Sequence, residues 1–134
     1  IEIRPLRVAF LRECARALHF GHVEIIGSKV ENAFLPAPAA VISARAYAPL
    51  DRLLASAHHL ADENTIWLLP KGRQSEKELE IVRHDWQAVF HVEQSITDPE
   101  SSIVTISQLR SRAKPTSHIA SHGRRSRKSS GPRS

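Results

Sequence analysis

The run Val41-Ile42-Ser43-Ala44-Arg45-Ala46-Tyr47-Ala48-Pro49-Leu50 constrains the fold more than any other stretch. Val41 to Ala44 reads as a short buried strand. Pro49, with its fixed φ, suits the first turn of a helix that Leu50, Leu53, Leu54, Ala57 and Leu60 continue to about Ala61. Arg45 therefore stands at the carboxyl end of a strand, and open α/β sheets bind their ligands in the crevice outside those ends. An arginine that caps the strand and pairs with a nearby carboxylate fits the same position, and the stretch alone leaves both readings open.

The rest of the chain alternates in the same way. Ile1-Glu2-Ile3 reads as the end of a strand. Pro5 opens a helix with apolar positions at Leu6, Phe10, Cys14 and Leu18, and Gly21 is a plausible stop. His22 to Ile26 reads as a short strand, followed by a turn at Gly27-Ser28 and a short segment from Lys29 to Phe34. After the organising strand and its helix, Asp62-Glu63-Asn64 turns the chain into a buried strand from Ile66 to Leu69. Pro70 marks the end of that strand, because proline donates no ladder hydrogen bond. Ser75 with Glu78 fits a capping box for a helix carrying Leu79, Val82 and Trp86 on one face. Ala88 to Ile96 and Ser102 to Leu109 read as two strands joined by Thr97 to Ser101. This order predicts a mostly parallel sheet covered on both faces, with the closing hairpin adding an antiparallel strand at one edge.

At 134 residues, 41% of them hydrophobic, the chain suits one globular domain with one core. No apolar run approaches the roughly 20 residues of a membrane helix, so no membrane partner is expected and the default address is the cytoplasm. The single cysteine, Cys14, excludes an internal disulfide and a multi-thiolate metal site, and its helical spacing with Leu6, Phe10 and Leu18 predicts a buried core thiol. The eight histidines show no metal-ligand spacing: His58 and His59 are adjacent on a helix and point apart. The net charge of +5 is unevenly shared. Eight of the nineteen lysines and arginines, and none of the fourteen acids, lie from Arg110 to Ser134, so that segment carries +8 and the first 109 residues −3. We therefore divide the chain into an α/β domain over 1–109 and a basic, disordered tail over 110–134, rich in serine, arginine and lysine.

Four stretches, in order, carry a resemblance. They are Glu2 with Arg7-Val8-Ala9-Phe10-Leu11-Arg12-Glu13; Lys29-Val30-Glu31; Ser43-Ala44-Arg45-Ala46 with Ala48-Pro49-Leu50; and Leu69-Pro70-Lys71-Gly72-Arg73 with Glu78-Leu79. The chain from Ile1 to Leu109 resembles the bacterial 16S ribosomal RNA guanine-N7 methyltransferase family, formerly called glucose-inhibited division protein B. The resemblance implies a partial Rossmann-like class I S-adenosylmethionine-dependent methyltransferase sheet with an antiparallel C-terminal hairpin. It also implies methyl transfer from S-adenosyl-L-methionine to a guanine N7 of 16S ribosomal RNA, free or in the small ribosomal subunit, with no DNA partner. Val30 and Glu31 match the pair that flanks the cofactor's adenine, Arg45 matches a cofactor contact, and Glu2 matches the acid that receives the ribose hydroxyls. On the residues alone, Glu31 is equally a solvated acid and Glu2 a fraying terminus.

Guanine N7 carries a free lone pair and faces the major groove, so the transfer asks for alignment rather than a general base, and no catalytic acid or base is nominated. Lys71 and Arg73, on the same sheet edge as Arg45, are candidates for RNA phosphate or the guanine O6; solvent-exposed loop charge is the other reading of both. Arg124, Arg125, Arg127 and Lys128 in the tail are candidates for sequence-independent phosphate contacts. The chain departs from the family in three ways. The first strand and the glycine-rich turn that cradles the methionine part of the cofactor do not occur, nor does the helical segment before the sheet. Ala39-Ala40 stands where an aromatic and an aspartate are common. The expectation is a truncated form that alone binds S-adenosylmethionine poorly and is inactive. A non-catalytic RNA- or ribosome-binding module, an acidic α/β body with a basic arm, is the alternative; a dinucleotide-dependent enzyme fits the hairpin less well.

Overall fold

A computed structural model describes residues 1–112; the tail residues Arg124, Arg125, Arg127 and Lys128 lie outside them. Helix α1 spans Pro5–Ala17, strand β1 Val41–Ser43, helix α2 Leu50–Ala57, strand β2 Ile66–Lys71, helix α3 Ser75–Asp85, strand β3 Trp86–Gln94 and strand β4 Ser102–Ser111. One 3₁₀ turn, Val30–Asn32, lies between α1 and β1, and another, His58–Leu60, extends α2.

The four strands form one sheet in the order β1-β2-β4-β3. β1 and β2 are parallel, and β4 runs antiparallel to both β2 and β3. The antiparallel strand of the hairpin thus inserts second from the edge, and β3, which is outermost, points the same way as β1 and β2. Trp67 and Leu69 of β2, Val104 and Ile106 of β4, and Leu50, Leu53, Leu54 and Ala57 of α2 close the core with Leu79 and Val82 of α3. Each buried leucine, isoleucine or valine among them contributes roughly 1.5–3 kcal/mol by leaving water. Gln108, with φ 54°, sits where Ser107 pairs Val89 and Arg110 pairs Gln87, so Gln108 and Leu109 together oppose Ala88. This bulge shifts the side-chain parity by one and returns Leu109 to the face of Val104 and Ile106.

Several expectations need correction. Both helices that pack on the sheet lie on one side of it; on the other side Val41, Ile66, Leu68 and Val89 remain exposed among the described residues, so the sheet is covered on one face only. Helix α1 buries Val8, which approaches Gly27, while Leu6 is 87% and Phe10 66% exposed. Cys14 is accordingly only half-buried, on a stripe whose Leu6, Phe10 and Leu18 are all exposed. His22 to Ile26 forms no strand: the Glu2 N–H donates to the Ile26 carbonyl at 3.0 Å, and no ladder continues from there. Ser75 makes no side-chain cap of α3, and Trp86 opens β3 rather than closing the helix. Finally, β4 runs past Leu109 and carries Arg110 and Ser111 into the sheet, with Arg110 paired to Glu63 and the Arg112 N–H bonded to the Asp85 carbonyl.

Candidate functional site

β1 delivers Arg45 to the carboxyl edge of the sheet, and the chain then crosses Ala46, in the left-handed region at φ 51°, before Pro49 turns it into α2. Two cavities meet along this loop, and Arg45, Ala46 and Tyr47 line both of them.

The larger cavity, about 860 Å³, is bounded by Ile1-Glu2-Ile3 on one side and by Val41-Ile42-Ser43-Ala44 on the other. Glu2, Val30, Glu31 and Arg45 all line it, although they come from four separate segments. Val30 is half-buried against the core and offers an apolar wall. Glu2 accepts a hydrogen bond from the Arg4 N–H at 2.9 Å, and its other carboxylate oxygen is 3.7 Å from the Arg7 guanidinium. The Arg4 N–H first, then the Ile3 N–H and the Arg7 and Arg4 cations, hold its carboxyl below the usual carboxylate value, against the opposing effect of burial. An ionised, half-buried carboxylate with free lone pairs suits a vicinal diol, and the volume lies within the range of small-molecule sites. The residues present therefore fit an adenosine-containing cofactor.

The smaller cavity, about 660 Å³, lies beyond Arg45 between the loop Arg45 to Pro49, the end of β2 and the β3–β4 hairpin turn. Ser95, Thr97, Asp98, Ser101 and Ser102 give it a polar wall. Asp98 accepts from the Ser101 hydroxyl at 2.5 Å and from the Glu100 N–H at 3.0 Å, and those two bonds lower its pKa. Lys71 lines this cavity, yet its ammonium donates to the Ala48 carbonyl at 3.0 Å and to Glu78 at 2.8 Å, and its side chain is 10% exposed. Arg73 stands outside the cavity, exposed and paired with Glu100. The structure thus brings together the four candidates for cofactor contact, and it separates Lys71 from Arg73. Tyr47, Arg7, Glu24 and the hairpin turn were not singled out from sequence. Tyr47 lies two residues past Arg45 and was open to notice; Thr97 to Ser101 was legible as a turn, but nothing in it announced that it walls a cavity.

His59 hydrogen-bonds the Ala33 carbonyl, whereas His58 packs on the Trp86 ring with centroids 4.9 Å apart, so the two histidines do diverge. Among the described residues, no group of three or more histidines, cysteines or acids could hold a metal, and no helix is long and apolar enough to cross a membrane.

Comparison with known proteins bears on the same segment. A crystal structure described as that of an rRNA-methylase from Clostridium thermocellum superposes with a TM-score of 0.60 at 14% identity, over 80% of this chain and 69% of that one, which shows a shared fold. The Ribosomal RNA small subunit methyltransferase G of Rhizorhabdus wittichii is 46% identical over 115 residues, 85% of this chain and 52% of its own length. That of Sphingopyxis alaskensis is 48% identical over 104 residues, 78% of this chain and 44% of its own. The chain spans about half the length of the curated relatives it matches. The model of the rRNA small subunit methyltransferase G family, also termed GidB, matches residues 1–104, and with these relatives it shows that the chain belongs to that family.

Proposed function

We propose that this chain forms the nucleoside-binding half of an enzyme that transfers a methyl group from S-adenosyl-L-methionine to N7 of a guanine in small-subunit ribosomal RNA. The observation that carries the reading is the convergence of Glu2, Val30, Glu31 and Arg45 on one cavity. When bound, S-adenosylmethionine supplies an electrophilic methyl group. Glu2 receives the ribose hydroxyls, Val30 and Glu31 flank the adenine, and Arg45 stands at the wall shared with the smaller cavity, where the target base is received. N7 needs no deprotonation, so what these residues contribute is orientation. Arg124, Arg125, Arg127 and Lys128 add phosphate attraction that holds the RNA without reading its sequence.

The strand and glycine-rich turn that hold the methionine part of the cofactor belong, in this reading, to the half of the relatives that the chain does not match. Calorimetric titration with S-adenosylmethionine tests both statements. The chain alone is expected to bind weakly and to transfer no methyl group, whereas a fusion with the unmatched half of the Rhizorhabdus relative is expected to bind at micromolar concentration. In that fusion, Glu31→Ala and Arg45→Ala each weaken binding about tenfold or more, the scale of one charge-assisted contact. Micromolar binding by the chain alone overturns the division of labour; no effect of either substitution overturns the site.

A further inference from the structure

The Lys71–Glu78 pair spans three elements in a way that neither residue's sequence position announces. Glu78 Oε2 accepts from Lys71 Nζ at 2.8 Å and also from the Leu50 backbone N–H at 2.8 Å, the first amide of α2. Lys71 Nζ donates in turn to the Ala48 carbonyl at 3.0 Å. One ion pair at the end of β2 and the first turn of α3 therefore grips the backbone on both sides of Pro49. Both side chains are largely withdrawn from water, 10% and 25% exposed, where a charge-assisted bond keeps more of its strength than at the surface.

The gripped segment needs such support. Ala46 holds a positive φ that costs an alanine about 1–2 kcal/mol, and the α2 amino terminus has no side-chain cap from Pro49. A left-handed alanine persists where its neighbours over-determine it, and the bonds at Ala48 and Leu50 fix the chain two and four residues on. Arg45 and Tyr47, which face both cavities, lie on the same short loop.

We propose that Lys71 and Glu78 are positioning residues: they clamp the Arg45–Leu50 loop so that Arg45 and Tyr47 stand at the junction of the two cavities, and Lys71 does not itself contact RNA. What the loop is positioned for rests on the function proposed above; the clamp does not. The test is backbone ¹⁵N relaxation and amide exchange in the whole 134-residue chain. Order parameters at Ala46, Tyr47 and Ala48 are expected near 0.85 in the wild type, below about 0.6 in Lys71→Met, and intermediate in Glu78→Gln, which keeps an acceptor but loses the charge. The Leu50 amide is expected to exchange at least tenfold faster in Lys71→Met. Amides of Val104 and Ile106 stay protected, and Lys71→Arg retains the rigid loop.

A loop already mobile in the wild type, or one unchanged in Lys71→Met, overturns the clamp. So does a loss of protection spread evenly over the sheet, the mark of a purely stabilising pair. A rigid loop in wild type and a mobile one in Lys71→Met, together with a fusion that binds no S-adenosylmethionine, would uphold the clamp and remove the proposed function.

Discussion

Glu2 illustrates how much a single residue's setting can alter its chemistry. Its carboxyl is held below the ordinary value of 4.5, first by the Arg4 N–H and then by its other backbone and cationic neighbours. A depressed folded value means a contribution that is present above the unfolded pKa and is lost as pH falls through the folded one. The ¹³C shift of this carboxyl is thus expected to titrate below 4.5, and Arg7→Ala is expected to move it partway back. The place of Glu2 on the larger cavity was legible through the family resemblance. Glu78 was not: its spacing from Ser75 suggests a local cap, whereas its carboxylate reaches an amide 28 residues away. A sequence reports neighbours along the chain, and that bond is made across it.

Elements differ in how well their pattern announces them. Helix α2 was read correctly because Leu50, Leu53, Leu54 and Ala57 are all buried against one sheet face, so the periodicity has a physical cause. Leu54, wholly buried, is expected to cost about 2–5 kcal/mol on replacement by alanine, read from urea unfolding. That loss is a large share of the stability of any small domain. Helix α1 has the same kind of stripe, but Leu6, Phe10 and Leu18 of it are exposed and the one residue that the helix buries, Val8, lies off it, so the inference from stripe to buried thiol at Cys14 failed. From sequence, β4 ends at Leu109, where apolar residues give out; the bulge at Gln108 absorbs an extra residue and the strand runs on to Ser111.

For the whole molecule, charge and apolar surface make separate demands. The body is acidic and the carboxyl-terminal segment basic, so RNA affinity is expected to depend steeply on salt. Replacing Arg124, Arg125, Arg127 and Lys128 by alanine is expected to lower the slope of log affinity against log salt by up to about 3, at roughly 0.7 per phosphate contact on single-stranded RNA. Filter binding at several salt concentrations measures it. Leu68→Lys and Val89→Lys, on the uncovered sheet face, are expected to leave the unfolding midpoint nearly unchanged and to reduce self-association in sedimentation velocity. The α/β alternation was readable from sequence, but the bare face was not, since an exposed valine and a buried one are written alike.

That bare face has a practical consequence. With Val41, Ile66, Leu68 and Val89 open to solvent while Trp67 and Leu69 are sealed beneath the helices, the natively folded chain presents a greasy plane beside a well-packed interior. An environment-sensitive dye such as ANS should therefore brighten on it before any denaturant is added, while the Trp67 emission stays blue-shifted, so that dye uptake in a purified sample reports architecture and not damage.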